Sequence, residues 1–225
     1  MPELILKNVS YQYKHGDRKV VDAVNCRFQG GKLYAVVGPS GSGKTTLLSL
    51  LAGLDRPTQG HIYLNRAPLD NLDLDQYRRE RVSMIFQAFH LFPLLTALEN
   101  VCFPMQLNGV SKKKILKRGK YLLASVGITE DKYKRYPSNL SGGEQQRVAI
   151  ARSLASGARV LLADEPTGNL DKGNGDKLIG ILGHLAHEQR YCIIIVSHDL
   201  SIAERSDKVW YMSDGVLTEN QPSAE

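Results

Sequence analysis

The sequence has little cysteine. Cys26, Cys102 and Cys192 are the only three in 225 residues, an odd number, far apart and without a C-x-x-C pair. Such spacing argues against a disulfide framework or a zinc module, and the three read as reduced core thiols of a cytoplasmic protein. Long apolar runs are missing as well. Cys192 to Val196 has the length of a core strand, far short of the ~18 residues that a membrane span requires. Met1-Pro2-Glu3 carries neither the basic flank nor the apolar run of an export leader, so none is expected. Internal repeats, low-complexity tracts and long Gly/Ser/Pro linkers are also lacking, which leaves one compact unit as the expectation.

The length suits a large single α/β domain or a tight pair of small ones. With 42% hydrophobic and 23% charged residues, the chain can build a sizeable core and is too apolar for disorder. A net charge of +6 permits an anionic partner such as a nucleotide, a nucleic acid or lipid headgroups. It equally permits an ordinary solvated basic surface, and charge alone does not choose.

The first thirty residues read as antiparallel β structure. Val9, Tyr11 and Tyr13 alternate, Lys14 to Asp17 turn, and Val24, Cys26 and Phe28 alternate again before Gly30-Gly31. His61 to Leu64 adds a short strand. A different pattern follows in Leu33–Val37, Val82–Phe86, Val160–Ala163 and Cys192–Val196, which are apolar with little alternation. Runs of that kind suit strands buried on both faces of a parallel sheet. Helical stretches lie between them: Thr45–Leu51, Ser141–Leu154 and Lys177–Ala186. Each apolar run ends in polar residues, namely Gly38-Pro39-Ser40, Gln87, Asp164-Glu165 and Ser197-His198. Ligands of open α/β sheets bind at the carboxyl ends of strands, so the four ends predict one shared site. Between Gln87 and Ser141 the β signal fades. Thr96 to Glu99 fits a capping box, and Ser111 opens a helix burying Ile115, Leu122, Leu123 and Val126. This segment is expected to be a helical lobe, with Lys112 to Lys114, Lys117, Arg118 and Lys120 either on its solvated face or near anionic headgroups.

Gly38-Pro39-Ser40-Gly41-Ser42-Gly43-Lys44-Thr45 matches the phosphate-loop pattern G-x-x-x-x-G-K-[ST], and Thr46 follows it on the same helix. Glycines let the backbone curl so that successive N–H groups face phosphate oxygens, and the following helix contributes its N-terminal donors. Lys44 is suited to the β- and γ-phosphates, and the Thr45 hydroxyl to Mg²⁺. Val160 to Glu165 has the apolar-strand-then-acid form of a Walker B motif. There Asp164 can hold Mg²⁺, and Glu165 can polarise an attacking water as general base.

Leu140-Ser141-Gly142-Gly143-Glu144-Gln145-Gln146-Arg147 resembles the signature motif of ATP-binding-cassette (ABC) ATPases, in the family's order ahead of the Walker B strand. The same residues also fit an ordinary capping box, Ser141 with Glu144, although a cap has no need of Gly142-Gly143. The resemblance covers essentially the whole chain. It implies an α/β P-loop NTPase fold with a mainly parallel sheet, an N-terminal antiparallel β subdomain and an inserted α-helical subdomain. Residues 1–225 would form one such domain, 1–87 and 158–225 the nucleotide-binding core and 88–157 the helical subdomain.

The resemblance also assigns roles. Tyr13 would stack on adenine, with Tyr11 as the rival and a plain strand aromatic as the alternative. Gln87 would be the glutamine of the family's Q-loop, sensing Mg²⁺ and γ-phosphate. Asp171, in Gly168-Asn169-Leu170-Asp171, would work across a dimer interface, and His198 would contact the γ-phosphate and orient water. Two helix N-termini suited to phosphate in one chain favour a head-to-tail homodimer in which Ser141, Gly142, Gly143 and Glu144 of one copy cover the ATP of the other. His184 and His187 read as surface histidines.

Among ABC relatives, the 225 residues lead one to expect no long coiled coil, second cassette or regulatory extension. What remains looks like a minimal transporter ATPase subunit of the macrolide-export, lipoprotein-release and cell-division group. That implies ATP and Mg²⁺ as cofactors, an integral membrane permease contacted through the Q-loop and helical subdomain, and a peripheral position at the inner face of the cell membrane. Nucleic acid is not the expected partner; a soluble nucleic-acid-associated ATPase is the alternative. Phe89 to Leu95 carries more apolar residues than a solvated loop needs, so it either lines a groove for the permease or is buried within the lobe.

Overall fold

A computed structural model describes residues 1–219; residues 220–225 lie outside the described residues. The chain runs through β1 (Glu3–Tyr11), β2 (Val21–Gln29), β3 (Lys32–Val37), α1 (Lys44–Leu51), β4 (Gln59–Leu64), β5 (Ala67–Pro68), α2 (Leu74–Glu80) and β6 (Val82–Ile85). It continues through α3 (Ala97–Leu107), α4 (Lys112–Ser125), α5 (Gly142–Ala155), β7 (Val160–Asp164), α6 (Lys172–Gln189), β8 (Cys192–Ser197), β9 (Lys208–Ser213) and β10 (Val216–Thr218).

The apolar runs make a sheet of order β10-β9-β3-β8-β7-β6, parallel except for the β9–β10 hairpin. Successive side chains of a strand point to opposite faces. In β3, Leu33, Ala35 and Val37 accordingly join one core and Tyr34 and Val36 the other. β8 divides the same way, with Ile193 and Ile195 on one side and Cys192, Ile194 and Val196 on the other. Burial on both faces explains why these strands lack alternation in sequence. One face is covered by the helical lobe and α6, the other by α1 and a second, antiparallel sheet of order β2-β1-β4-β5.

The N-terminal strand departs from the alternation expected of it. β1 spans Glu3–Tyr11 and ends before Tyr13, and its pairing with β2 shifts register between Leu6 and Val9, next to a left-handed Asn8 (φ 50°). A bulge of this kind bends the strand, which stays paired with β2 as far as Tyr11 opposite Val21. Helix α6 also begins at Lys172, one turn earlier than the apolar spacing indicates, because Asp171 caps it through the Asn174 amide at 3.0 Å. The expected capping box is present on α3, where Thr96 and Glu99 exchange side-chain and backbone hydrogen bonds. The basic run on α4 is exposed, while Ile115, Leu122 and Leu123 face the core. Helices α3, α4 and α5 pack on one another to form the lobe. All three cysteines are buried thiols.

Candidate functional site: a cleft at the strand ends

Register brings the polar strand ends level. Val37 pairs with Ser197, Asp164 with Val196, and Ile85 with Ala163, so β3, β8, β7 and β6 deliver their next residues to one edge. There the loop from Gly38 to Gly43 curls into α1. A cleft of about 430 Å³ opens beside it, lined by Ser40, Gly41, Lys44, Thr45, Gln87, Asp164, Glu165 and His198 among others. The first four amides of a helix have no partner within it, so α1 offers donors to this cleft.

The Lys44 ammonium is held inside the loop and donates to the carbonyls of Gly38 (2.9 Å) and Pro39 (2.8 Å). Burial lowers its pKa, opposed by the charges of Glu165 and Asp164. Thr45 Oγ1 donates to Asp164 Oδ1 at 3.3 Å, so a hydroxyl and a carboxylate meet at the cleft floor. Burial pushes the Asp164 carboxyl above the usual aspartate range; the Thr45 hydrogen bond opposes that shift and the adjacent Glu165 charge adds to it. A divalent cation would relieve this crowding of negative charge, and hard oxygen donors are what Mg²⁺ takes. These residues therefore fit a magnesium nucleotide.

Glu165 is left-handed, with φ 45°, an unusual conformation for a residue that is not glycine. Its oxygens are fully engaged. Oε1 accepts from the His198 amide and pairs with His198 Nδ1, both at 2.9 Å, and Oε2 accepts from Ser197 Oγ at 2.8 Å. Ser197 and His198 thus aim and restrain this carboxylate. Gln87 is exposed in the cleft, its carbonyl accepting from Asn169 Nδ2 at 2.9 Å.

Of the two candidate aromatics, Tyr11 bonds Asp55 and packs edge-on against Tyr13. Tyr13 is 49% exposed, and its hydroxyl lies 3.1 Å from Thr46 Oγ1 on α1. Its ring is therefore the one available at the mouth of the phosphate loop.

No signature residue lines this cleft. Ser141 is exposed and caps α5, accepting from the Glu144 amide, while Glu144 Oε2 accepts from the Ser141 amide at 2.8 Å. Glu144 Oε1 is taken by Lys132 at 2.6 Å, which gives this side chain an internal task. Gly143 likewise serves packing, since a Cβ there would stand 2.8 Å from the Asn174 side chain on α6. At Gly142 a Cβ would meet its nearest neighbour, the Phe89 ring, at 3.7 Å, an ordinary contact, so this half-buried position does not demand glycine for packing. Asp171 is spent on capping α6, through the Asn174 amide and side chain.

Three residues that sequence reasoning left unassigned organise the surroundings. Gln146 is fully buried on α5. Arg152, also on α5, donates to the His90 (2.6 Å) and Phe89 (3.1 Å) carbonyls and lies over the Phe92 ring. Both Phe89 and His90 are left-handed, so the guanidinium holds a strained loop. Asn100 on α3 is fully buried and ties down the loop's far end at Phe92, Leu95 and Thr96. Between these anchors Phe92 stays 41% exposed and Leu94 87% exposed. Nothing in the local sequence marks Arg152 or Asn100; Gln146 falls within the signature motif, where the resemblance gave it no role of its own.

A phosphate loop on a parallel sheet, a lysine inside it and an acid pair at the end of β7, one strand removed from β3, define a P-loop ATPase. A family model described as "ABC transporter" matches residues 21–168, and the chain belongs to the ABC transporter family as an ATP-binding subunit. YclH of Bacillus subtilis, an uncharacterized ABC transporter ATP-binding protein, is 39% identical over 97% of this chain and 96% of its own length. The macrolide export ATP-binding/permease protein MacB of Shigella flexneri is 40% identical over all of this chain, which corresponds to only 35% of that longer protein. The dimeric cassette structure of MJ0796, a protein of Methanocaldococcus jannaschii, superimposes with a TM-score of 0.87 at 37% identity, over 99% of this chain and all of that one. A post-hydrolysis dimer of the same protein with ADP and phosphate also gives 0.87, at 36% identity over the same shares of the two chains. Membership makes this chain an ATP-hydrolysing enzyme. No helix among the described residues is long and apolar enough to cross a membrane.

Proposed function

We propose that this chain is the ATP-driven motor subunit of an exporter-type or mechanotransmitting transporter, closing as a homodimer on two ATP molecules and driving a separate membrane permease from the inner face of the membrane. The observation that carries this reading is the separation of two half-sites. The phosphate loop, Asp164, Glu165 and His198 share one cleft, whereas the α5 tip, with Ser141 exposed and Gly142 half-buried, stands outside it. A second copy placed head-to-tail completes the site.

Within the pair, Lys44 leaves its two carbonyls for the β- and γ-phosphates, and loop amides hold the remaining oxygens. Thr45, Asp164 and Gln87 hold Mg²⁺, which neutralises charge on the transferring phosphoryl group when bound. Tyr13 stacks on the base. Glu165, positioned by Ser197 and His198, takes the proton of the attacking water. Ser141 and Gly142 of the partner close over the γ-phosphate, with Gly143, Glu144 and Asp171 shaping that tip and its neighbouring helix. Loss of the γ-phosphate removes the contact holding the copies together. The exposed Phe92–Leu94 ledge receives a cytoplasmic segment of the permease. The MacB relative, named as both ATP-binding protein and permease in one chain, supports such a pairing.

Glu165→Gln tests the assignment. This variant is expected to bind ATP, hydrolyse it at least 10²-fold more slowly, and accumulate a dimer on gel filtration. Wild-type turnover would remove Glu165 from the role of base.

A further inference from the structure

We infer that Gln146 is a positioning residue for ATP hydrolysis, an amide on the signature helix that holds the catalytic carboxylate loop and the Q-loop in fixed relation. Gln146 has no exposed surface. Its Nε2 donates to the Pro166 carbonyl at 3.0 Å and to the Phe86 carbonyl at 3.4 Å. Pro166 directly follows Glu165, and Phe86 directly precedes Gln87. One amide therefore spans the two loops that carry the proposed base and the proposed γ-phosphate sensor.

A packing role alone does not account for an amide here. Its Oε1 is buried without a hydrogen-bond partner among the described residues. An unpaired buried acceptor is unfavourable, and an apolar side chain of similar volume would avoid that cost. What the amide supplies is its two donors. Their targets bear on a conformation that requires support. Glu165 is left-handed at φ 45°, and such strain persists only where the surroundings over-determine it. On one side the Glu165 amide donates to Val196 at 3.0 Å; on the other, Gly168 closes a turn onto the Glu165 carbonyl at 3.0 Å. Gln146 holds the Pro166 peptide inside that turn. It is also little more than one helical turn from Ser141 and Gly142 at the tip of α5. A force applied to the tip by a partner's nucleotide thus reaches the Glu165 and Gln87 loops through a short, rigid span. Gln146 is a route by which engagement of one composite site sets the geometry of the other.

This rests on Glu165 as the water-activating carboxylate. The test compares Gln146→Met, which keeps volume and removes both donors, with Glu165→Gln and the parent protein. Readouts are ATP affinity, KM, kcat and the fraction of ATP-bound dimer. Misplacing a reacting group by about 1 Å costs on the order of 10²-fold in rate. The expected result is a kcat lowered 10- to 10²-fold, with ATP affinity and KM within about twofold and a dimer that accumulates in ATP. Should Gln146→Met fail to fold, Gln146→Leu, which likewise has no donor, takes its place with the same readouts. Parental kcat in a folded variant overturns the inference, as does a parallel loss of ATP affinity and dimer, or failure of both variants to fold. If Glu165→Gln itself turns over normally, the base assignment falls instead, so the two failures are distinct.

Discussion

Two glycines of the phosphate loop separate backbone conformation from steric closure. Gly43 has φ +107°, and a Cβ there would stand 2.3 Å from the Val20 carbonyl oxygen and 2.8 Å from Met212 Cε. Gly41 has φ +78° but nothing within 4 Å of a Cβ. A positive φ costs an L-residue roughly 1–2 kcal/mol, and forcing a methyl group into a packed wall adds roughly 1–3 kcal/mol. Gly41→Ala incurs the first cost alone, Gly43→Ala both. At 1.4 kcal/mol per factor of ten, ATP affinity should fall about 5- to 30-fold for Gly41→Ala and from about 30-fold to a few thousand-fold for Gly43→Ala. Titration calorimetry with a non-hydrolysable ATP analogue measures both, with circular dichroism to confirm folding. Equal losses at the two positions, or parental affinity in Gly43→Ala, would refute the claim that the wall formed by Val20 and Met212 sets the loop's shape.

Phe92→Ala should leave ATP binding and folding nearly unchanged, because much of the ring is exposed, while weakening permease association by roughly 30-fold or more if the ring is a docking hot spot. Undiminished co-purification would remove the ledge from the interface. Burial pushes the Cys102 thiol up to about 11 and the Cys192 thiol up to about 12, and it raises Cys26 further. Thiolate is the reactive form, so it appears only as pH rises through these raised values. Below about pH 9 all three should resist maleimide labelling until the protein unfolds; labelling of native protein at the rate of a free thiol would contradict their burial.

Much of the site was legible because its signals are local. A buried strand followed by a glycine-rich loop and a helix, or by an acid pair, is contiguous in sequence and carries its own chemistry. Strand order was not: β8 lies between β3 and β7, so the phosphate loop and Walker B acids are not on adjacent strands. Nothing in either segment encodes that neighbour. Tyr13 was expected to continue the strand alternation of Val9 and Tyr11, but β1 ends at Tyr11, and its register shifts depend on pairing with β2, which the segment's own sequence does not carry. The start of α6 was hidden by Gly173 and Gly175, poor helix formers that its Asp171 cap offsets. Gln146, Arg152 and Asn100 escaped notice for a common reason. Each is a polar residue within a helix, and its role is set by carbonyls distant in sequence or in the preceding loop. The two signature glycines differ in a way their adjacency in sequence does not show: a Cβ at Gly142 would make only ordinary contacts, whereas one at Gly143 would collide with Asn174.

The central claim is that an ATP held by one copy is covered by the α5 tip of another. Cysteine pairing tests it directly, since the native thiols are buried. Ser40→Cys and Gly142→Cys are made separately, each with Glu165→Gln, then mixed under mild oxidant with Mg²⁺ and ATP. The account predicts a disulfide-linked dimer in the mixture with ATP, and little in either variant alone or without nucleotide. ATP bound by both variants with no cross-link in the mixture, or cross-links only between identical variants, would contradict it.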